Sequence, residues 1–384
     1  MPKSVTYHQI LTCLFVAVIL FYWIDRYYGL LKVPELQERR KLAQKPAFDP
    51  SFLDPFPKKY ESYYNDHFHW RNGLIRLKNY INYYTFRQSN LPEEVLIGKE
   101  DWLFKSGFQL DIYTGKFQFS ARDLEAITEE LERRKALVEA AGAKYYFCIP
   151  PQKHSIYPEY LPNTVQRFNE KTCTEQLIDH LSEYSNIDYI DLFAPIRQRK
   201  QQTDSLLYYV TDHHWNDIAA FSAAQEVLGY LQKDFPQLGQ IKAGDYAFNY
   251  TEYAGMTLAQ MLGIEKEMKE RAPILTPLFE LQAKDSIRSY PAPHDFPFKS
   301  DYVVDKRIVE SGMPSLFMVR ESFATATIQP LSEHFSRSFY LFDNWKHQFN
   351  ASIFEQEQPD IYVQMVWEGL IFSLMENPPS DAKW

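Results

Sequence analysis

The stretch Tyr208–Asp217, YYVTDHHWND, places a carboxylate, two imidazoles and an indole side by side. An Asp two residues before a His can fix the tautomer of the ring and stabilise its protonated form. Asp212 and His214 therefore have the types and spacing of an orienting acid and a general base. His213 is an alternative base, but in an extended segment the residue next to Asp212 points to the opposite side. A nucleophile is expected elsewhere in the chain.

The segment Pro314–Ala326, PSLFMVRESFATA, is the best candidate for that nucleophile, because it reads as a buried strand, a turn and the start of a helix. Reactive groups collect at the carboxyl ends of strands in α/β sheets. Ser322 would lie in the first turn of the helix, where the N–H groups near Ser322 and Phe323 and the helix dipole could receive an oxyanion. The alternative is that Ser322 is only an N-cap, and its pairing with Asp212 and His214 is what favours catalysis.

The elements around these residues alternate between strands and helices. This alternation predicts an α/β fold with a mostly parallel sheet and helices on both faces. A hairpin over residues 95–104 and one or two helices over residues 60–87 precede it. Residues 242–297 have no clean period and predict an irregular insertion or lid. The predicted strands are 144–149, 187–193, 315–319, 338–342 and 361–366, and the predicted helices are 120–141, 172–184, 215–234 and 323–335.

The N-terminus predicts a membrane anchor, because Ile10–Ile24 is free of charge and nearly reaches the roughly 20 residues that span a bilayer. Lys3 precedes the run, and Tyr27 and Tyr28 follow it where aromatic residues favour an interface. The exit lacks the small residues of a signal-peptidase site, although a cleaved signal or a buried helix remain alternatives. An anchor would place the rest of the chain outside the membrane. We expect an anchor over residues 1–28, a linker and helical segment over 29–90, and a catalytic domain over 91–384.

The composition excludes some partners. A net charge of −9 leaves no basic surplus to neutralise phosphates, which argues against a nucleic acid. The three cysteines, Cys13, Cys148 and Cys173, cannot form a disulfide framework and are interpreted as packing residues, with a Cys148–Cys173 bridge as the alternative. We expect no cofactor and no metal. The cluster of Asp66, His67 and His69 lacks the matching distant ligand pair of a metal site.

Six blocks in order resemble the SGNH-hydrolase-like O-acetyltransferases of the AlgJ, AlgX and DHHW type. The resemblance covers roughly residues 60–370, and none of the blocks is specific alone. The blocks are NDHFHWRNGLI at 65–75, IGKEDWLF at 97–104, IPPQKHSIYPEYLP at 149–162, TDHHWN at 211–216, ESFATATIQPLSEHF at 321–335 and QPDIYVQMVWEGL at 358–370.

The resemblance implies that Ser322 is the nucleophile, His214 the base and Asp212 the orienting acid. It also implies a polysaccharide or cell-envelope glycan as acceptor, with acetyl arriving through a membrane-bound O-acyltransferase partner. The chain departs from the family where Arg320-Glu321 replaces the usual Asp before the nucleophile, which affects the geometry of the turn. Lys153 and Tyr157 are additional candidates for contacts with the acceptor.

Three functional classes remain open from the sequence. The first is a membrane-anchored O-acetyltransferase that works outside the cytoplasm, in the periplasm, through an acetyl-serine. The second is a carbohydrate acetylesterase with the same triad, in which water replaces the sugar hydroxyl. The third is a glycan-binding or assembly protein whose altered turn has lost activity. The fate of the acetyl group distinguishes the three classes. An acetyltransferase accumulates acetyl on an added glycan, an acetylesterase releases it to water, and a binding protein does neither.

Overall fold

The structure, a computed structural model, describes residues 7–33, 41–48, 50, 53–287, 290–309, 311–343 and 345–376. Lys3 of the predicted anchor lies outside these residues, as do residues 34–40, 49 and 51–52 of the predicted linker. The described chain divides into two compact units. One comprises residues up to Leu91 together with Ala259–Glu265, and the other comprises Pro92–Leu258 and the chain from Lys266 onward.

The larger unit is built on a seven-stranded sheet, which agrees with the predicted mostly parallel α/β fold. The strand order is β4-β3-β11-β9-β10-β8-β7, and the first five strands are parallel while β8 and β7 run antiparallel at one edge. The last strand in the described part of the chain, β11, therefore lies in the middle of the sheet. The strands are β3 Lys144–Cys148, β4 Tyr189–Ile190, β7 Lys284–Asp285, β8 Val303–Arg307, β9 Ser315–Arg320, β10 Arg337–Phe342 and β11 Ile361–Met365.

Helices cover both faces of this sheet because successive strand residues point to opposite sides. Tyr146 and Cys148 of β3 belong to one hydrophobic core, whereas Tyr145 and Phe147 belong to the other. The hairpin predicted near residue 100 is present as β1 Val95–Ile97 and β2 Leu103–Lys105. The helices of this unit are α4 Phe108–Thr114, α5 Ala121–Ala140, α6 Lys153–Ile156, α7 Cys173–Tyr184, α8 Phe193–Gln202, α9 Asp217–Leu231, α11 Ile328–Ser332, α12 Ala351–Glu357 and α13 Ser373–Glu376.

Capping residues explain where the long helices begin. Ser120 accepts the N–H of Asp123, whose carboxylate accepts the Ser120 N–H in return, so a capping box starts α5 as the sequence predicts. Asn216 caps α9 through the N–H groups of Ile218 and Ala219, so this helix begins two residues after the predicted Trp215. The predicted strand over residues 187–193 is shorter than expected, because α8 already begins at Phe193.

The segment over residues 242–297 is more regular than its sequence suggests. It contains a long antiparallel hairpin of β5 Tyr246–Ala254 and β6 Lys269–Pro277, paired from Tyr246 with Pro277 to Ala254 with Lys269. The exposed residues along β5 remove the hydrophobic alternation by which a strand is usually recognised. The expectation of an irregular insertion is therefore wrong for these two strands.

The element after β9 also differs from the prediction. Residues Ser322–Thr327 form a 3₁₀-helix, and only Ile328–Ser332 continue as the α-helix α11. The predicted helix over residues 323–335 is thus two short pieces. The helix dipole invoked for Ser322 is correspondingly small, because few peptide groups are aligned behind this residue.

The described residues of the smaller unit form α1 Tyr7–Tyr28, α2 Phe56–Asp66 and α3 Arg71–Phe86, together with the larger part of α10 Thr257–Leu262. Helix α1 is long and apolar enough to cross a membrane, and its apolar side chains are exposed. Its last turns are tied to the junction between α2 and α3. Asp25 accepts hydrogen bonds from the Trp70 indole N–H at 2.7 Å and lies 2.9 Å from His69 Nε2.

Candidate active site

The structure brings Ser322, His214 and Asp212 together at the carboxyl edge of the sheet. Ser322 follows the end of β9, and His214 lies on the loop that precedes α9. Ser322 Oγ is 2.8 Å from His214 Nε2, and His214 Nδ1 is 2.7 Å from Asp212 Oδ1. Although 108 residues separate His214 from Ser322 in sequence, these distances allow His214 to take the proton of Ser322 while Asp212 holds the ring.

His213 does not point away from Asp212, so this prediction from strand alternation is wrong. Its ring centroid is 3.9 Å from that of His214, and its Nδ1 lies 3.1 Å from Asp212 Oδ1. The segment is a turn in which Asp212 Oδ1 accepts the backbone N–H groups of both histidines, at 2.6 and 3.0 Å. Because the Asp212 side chain closes a turn here, successive side chains do not alternate between two sides as they do in a strand. His214 nevertheless is the ring that reaches Ser322.

The charges of the site are arranged for a base at residue 214. Burial alone opposes the ionised carboxylate, but the two histidines hold the pKa of Asp212 well below its ordinary range. Burial likewise opposes a protonated His214, but the Asp212 carboxylate raises the pKa of this imidazole above its ordinary value. Burial and the neighbouring His214 lower the pKa of His213 to about 4, which keeps that ring neutral near pH 7. Only His214 is thus prepared to accept a proton from Ser322.

Lys153 lies beneath this loop rather than at an opening. Its Nζ donates to the carbonyl oxygens of Leu103, Val210 and Asp212, at 2.6, 2.9 and 3.0 Å. The side chain is about 1% exposed, and burial lowers its pKa to about 7. Since one ammonium group uses all three of its N–H bonds here, Lys153 joins strand β2 to the loop that carries the acid and the base.

Tyr157 also supports the site from inside the protein. Its hydroxyl accepts the backbone N–H of Leu207 at 2.9 Å, and its ring is buried. The positions of Tyr157 and Lys153 do not support the predicted contacts with an acceptor. Both side chains instead hold the segment that leads into Asp212.

The β5–β6 hairpin provides a further support that the sequence did not reveal. Glu270 of β6 accepts the Thr211 N–H at 2.7 Å, the Thr211 hydroxyl at 2.6 Å and the Val210 N–H at 3.1 Å. The N–H of Thr257 donates to Asp212 Oδ2 at 3.1 Å. Every one of these bonds joins segments about 45 to 60 residues apart, and no local pattern encodes such a contact.

Trp215 connects the histidine loop to the serine segment. Its indole N–H donates to the carbonyl oxygen of Phe323 at 2.7 Å, and the side chain is buried. Trp215 thus packs in the core and positions the serine segment. Because Phe323 follows Ser322 directly, the bond helps to set the position of the hydroxyl relative to His214.

Glu321 changes the expectation for the oxyanion site. Its Oε2 accepts the N–H of Phe323 at 2.7 Å, so one of the two donors predicted for an oxyanion is already bonded. Burial raises the pKa of Glu321 to about 7. The longer side chain that replaces the usual Asp therefore caps the 3₁₀-helix. The N–H of Ser322 is then the remaining one of the two predicted donors.

The clusters of potential metal ligands are engaged within the protein. Asp212, His213 and His214 bring three possible ligand atoms within 4.8 Å of one another, but the bonds of His214 to Asp212 and Ser322 would have to be broken to bind an ion. His69 and Asp66 point to different partners, Asp25 and the N–H of Ala43. The arrangement at His214 fits proton transfer better than metal binding.

Comparisons with solved structures agree with this fold. PatB1 of Bacillus cereus, solved with a sulfonyl adduct, matches with a TM-score of 0.53 and 14% identity over 74% of this chain and 99% of PatB1. A DHHW family protein of Eubacterium siraeum matches with a TM-score of 0.52 and 14% identity over 75% of this chain and 100% of the other. Identities this low show the shared fold alone. A search of curated proteins found no match.

The fold and the comparisons define an SGNH-hydrolase-like α/β domain. Residues 95–289, just over half of the chain, match the family model described as SGNH hydrolase-like domain, acetyltransferase AlgX. The chain belongs to this AlgX-type acetyltransferase family, as the resemblance of its six sequence blocks predicts. The matched residues contain Asp212 and His214 but end before Ser322.

Proposed function

We propose that this protein is a membrane-anchored O-acetyltransferase that moves an acetyl group through Ser322 to a hydroxyl of a polysaccharide or cell-envelope glycan. The observation that carries the proposal is the line of two hydrogen bonds from Asp212 through His214 to Ser322. Membership of an acetyltransferase family supports acetyl as the group that is transferred. The acidic chain is consistent with an uncharged sugar hydroxyl as acceptor rather than a nucleic acid.

The first half of the proposed reaction makes the acetyl-serine. Ser322 Oγ attacks the carbonyl carbon of the donor while His214 Nε2 takes the hydroxyl proton, and Asp212 stabilises the imidazolium that forms. The N–H of Ser322 would donate to the carbonyl oxygen as it becomes negative. Collapse of the tetrahedral intermediate breaks the bond to the leaving group, which receives the proton from His214.

The second half returns the enzyme to its starting state. A sugar hydroxyl attacks the acetyl-serine carbonyl and gives its proton to His214, and Ser322 Oγ leaves and takes that proton back. Helix α1 would hold the catalytic domain at the outer face of the membrane, in the periplasm. Acetyl would be supplied there by a membrane-bound O-acyltransferase partner, because acetyl donors made in the cytoplasm must first cross the bilayer.

The test is to trap the acyl-serine on the full chain. We expect incubation with an activated acetyl ester to add the mass of one acetyl group at Ser322, and an aryl sulfonyl fluoride to modify the same residue. Subsequent addition of an oligosaccharide should move the acetyl group to the sugar faster than to water. Mass spectrometry of the intact protein, its peptides and the sugar gives all three results.

The control variant is Ser222→Ala, which removes a hydroxyl that donates to the backbone carbonyl of Ile218 within α9. It should acquire the acetyl group like the parent, while Ser322→Ala should not. Modification that survives Ser322→Ala would contradict the assignment. Release of acetate without transfer to any glycan tested would instead favour the acetylesterase.

A further inference from the structure

Helix α3 carries an apolar stripe on its exposed side. The stripe residues recur at spacings of three and four, so at about 100° per residue they fall within an arc of about 120°. They are Leu74 at 52% exposed, Leu77 at 55%, Tyr80 at 45%, Ile81 at 41% and Tyr84 at 41%. A helix on the surface of a soluble domain ordinarily turns such a stripe inward, and contiguous exposed apolar patches mark sites of interaction.

The opposite side of α3 makes the contacts within the smaller unit, through the buried Tyr83 and through polar groups. Arg76 donates to the carbonyl oxygen of Gly263 at 3.1 Å and pairs with Glu265 at 2.8 Å. The Asn79 amide is buried and donates to the carbonyl oxygen of Leu262 at 2.6 Å. The helix thus faces its own unit with one buried ring and with polar groups, while it leaves the five apolar residues of the stripe uncovered.

The apolar stripe begins where α3 meets α1. Trp70, directly before α3, has its ring centroid 5.8 Å from that of Phe21 and 5.2 Å from that of Tyr22. The indole N–H of Trp70 donates to Asp25 of α1. The first turn of α3 is therefore fixed through Trp70 to the last two turns of the candidate membrane span.

We propose that α3 lies in the surface of the lipid bilayer, with its apolar stripe in contact with the region where headgroups meet acyl chains. This inference rests on the proposed membrane anchor, because an embedded α1 places Trp70 at the depth of the interface. Sixteen residues make α3 about 24 Å long, which suits an interfacial helix. Its tyrosines have the amphipathic rings favoured at that depth, and the exposed Lys78 beside the stripe can reach lipid phosphates.

The experiment places an environment-sensitive fluorophore on the full chain in lipid nanodiscs that hold one copy each. Cys13→Ser removes the exposed native thiol, while the buried Cys148 and Cys173 remain. Leu77→Cys then carries an NBD label, in bilayers with and without lipids that have a nitroxide near the top of the acyl chain. We expect blue-shifted emission that these lipids quench at least twofold. A label at Tyr84→Cys, on the same stripe, should behave alike.

Two further labelled positions separate the possible results. Val16→Cys lies within α1 and reports whether that helix is in the bilayer, and Ala136→Cys is exposed on α5 and reports a solvent-facing label. Quenching at residue 16 with residue 77 matching residue 136 would overturn the interfacial helix and leave the anchor intact. Absence of quenching at residue 16, both by these lipids and by lipids with the nitroxide near the end of the acyl chain, would refute the anchor and this inference together. A blue shift at residue 77 without quenching would mean that protein, not lipid, covers the stripe.

Discussion

The carboxyl edge of the sheet and helix α3 both depart from the usual distribution of residues, in which ionisable side chains are exposed and apolar ones are buried. The sheet edge buries ionisable side chains, whereas α3 exposes apolar ones. At the sheet edge, ionisable side chains such as Lys153, Glu321 and Glu368 are about 1% exposed. On α3, Leu77 is 55% exposed. Burying an ionisable group costs free energy unless its hydrogen bonds are replaced, and exposing apolar surface to water is also unfavourable. The first region offsets its cost with contacts inside the protein, while the second requires a surrounding other than water.

The largest effect is expected when the reactive side chains at the sheet edge are removed without unfolding the protein. Ser322→Ala and His214→Ala should each lower the rate of acetyl transfer by about 10⁴-fold or more, because both groups act in one covalent step. The double variant should be no slower than either single variant. Measurement of kcat/KM for the four proteins with an acetyl ester tests this non-additivity.

Additive losses in the double variant would contradict a common step for Ser322 and His214. His213→Ala serves as the neighbouring comparison. Its ring shares Asp212 but does not reach Ser322, so we expect a loss about 10² times smaller than for His214→Ala. Equal losses would reassign the base.

Asp212→Asn should change both the rate and its dependence on pH. The base form of His214 exists above its pKa, so activity rises as pH increases through a value above the ordinary 6.5. Loss of the carboxylate removes the interaction that raises this pKa, and the rise should then move to lower pH while kcat falls by about 10²- to 10⁴-fold. A pH profile of kcat/KM checks the shift, with the exposed Asp204→Asn as control. An unmoved profile would mean that His214 is not the titrating group.

Lys153→Met distinguishes a supporting lysine from one that binds the acceptor. The substitution leaves three carbonyl oxygens without their donor, so we expect a loss of unfolding free energy of about 3 kcal/mol and of kcat by about tenfold to a hundredfold. KM for the glycan should change little. Denaturant unfolding and steady-state kinetics give both quantities.

The matched control for this substitution is Lys99→Met, because the Lys99 ammonium makes an exposed bond to the carbonyl oxygen of Glu159. It should leave stability and kcat near those of the parent. A raised KM for the glycan in Lys153→Met, with unchanged stability, would instead support the prediction from the sequence that Lys153 contacts the acceptor.

Glu368→Gln has the smallest expected effect, on the pH dependence of stability. Burial raises the pKa of Glu368 to about 7 from 4.5, so between these values the folded state holds a proton that the unfolded state has released. The unfolding free energy therefore falls as pH rises from 4.5 to 7, by at most about 1.4 kcal/mol per pH unit for this group. The Gln variant should flatten this decline in unfolding measurements between pH 5 and 8. An identical slope, or the same change in the exposed Glu139→Gln, would contradict this interpretation.

The positions of Ser322, His214 and Asp212 could be predicted because a strand end and a short motif encode them locally. The side to which His213 points could not, since it depends on a turn that the Asp212 side chain closes with backbone N–H groups. The support from Glu270 depends on a hairpin whose strands lack alternation. The spacing of α3 predicts a helix, but which side of that helix meets the protein depends on contacts with residues 262–265, far along the chain.

The central place of β11 in the sheet has a consequence for how the chain is made. Residues 361–365 fill the gap between β3 and β9, so the middle of the sheet stays open until this strand has left the ribosome. Helix α1 precedes both strands in the chain, so it leaves the ribosome before β3 and β9 gain their shared neighbour. The unpaired edges of those two strands are then open to other chains, and the sheet is complete only when β11 arrives.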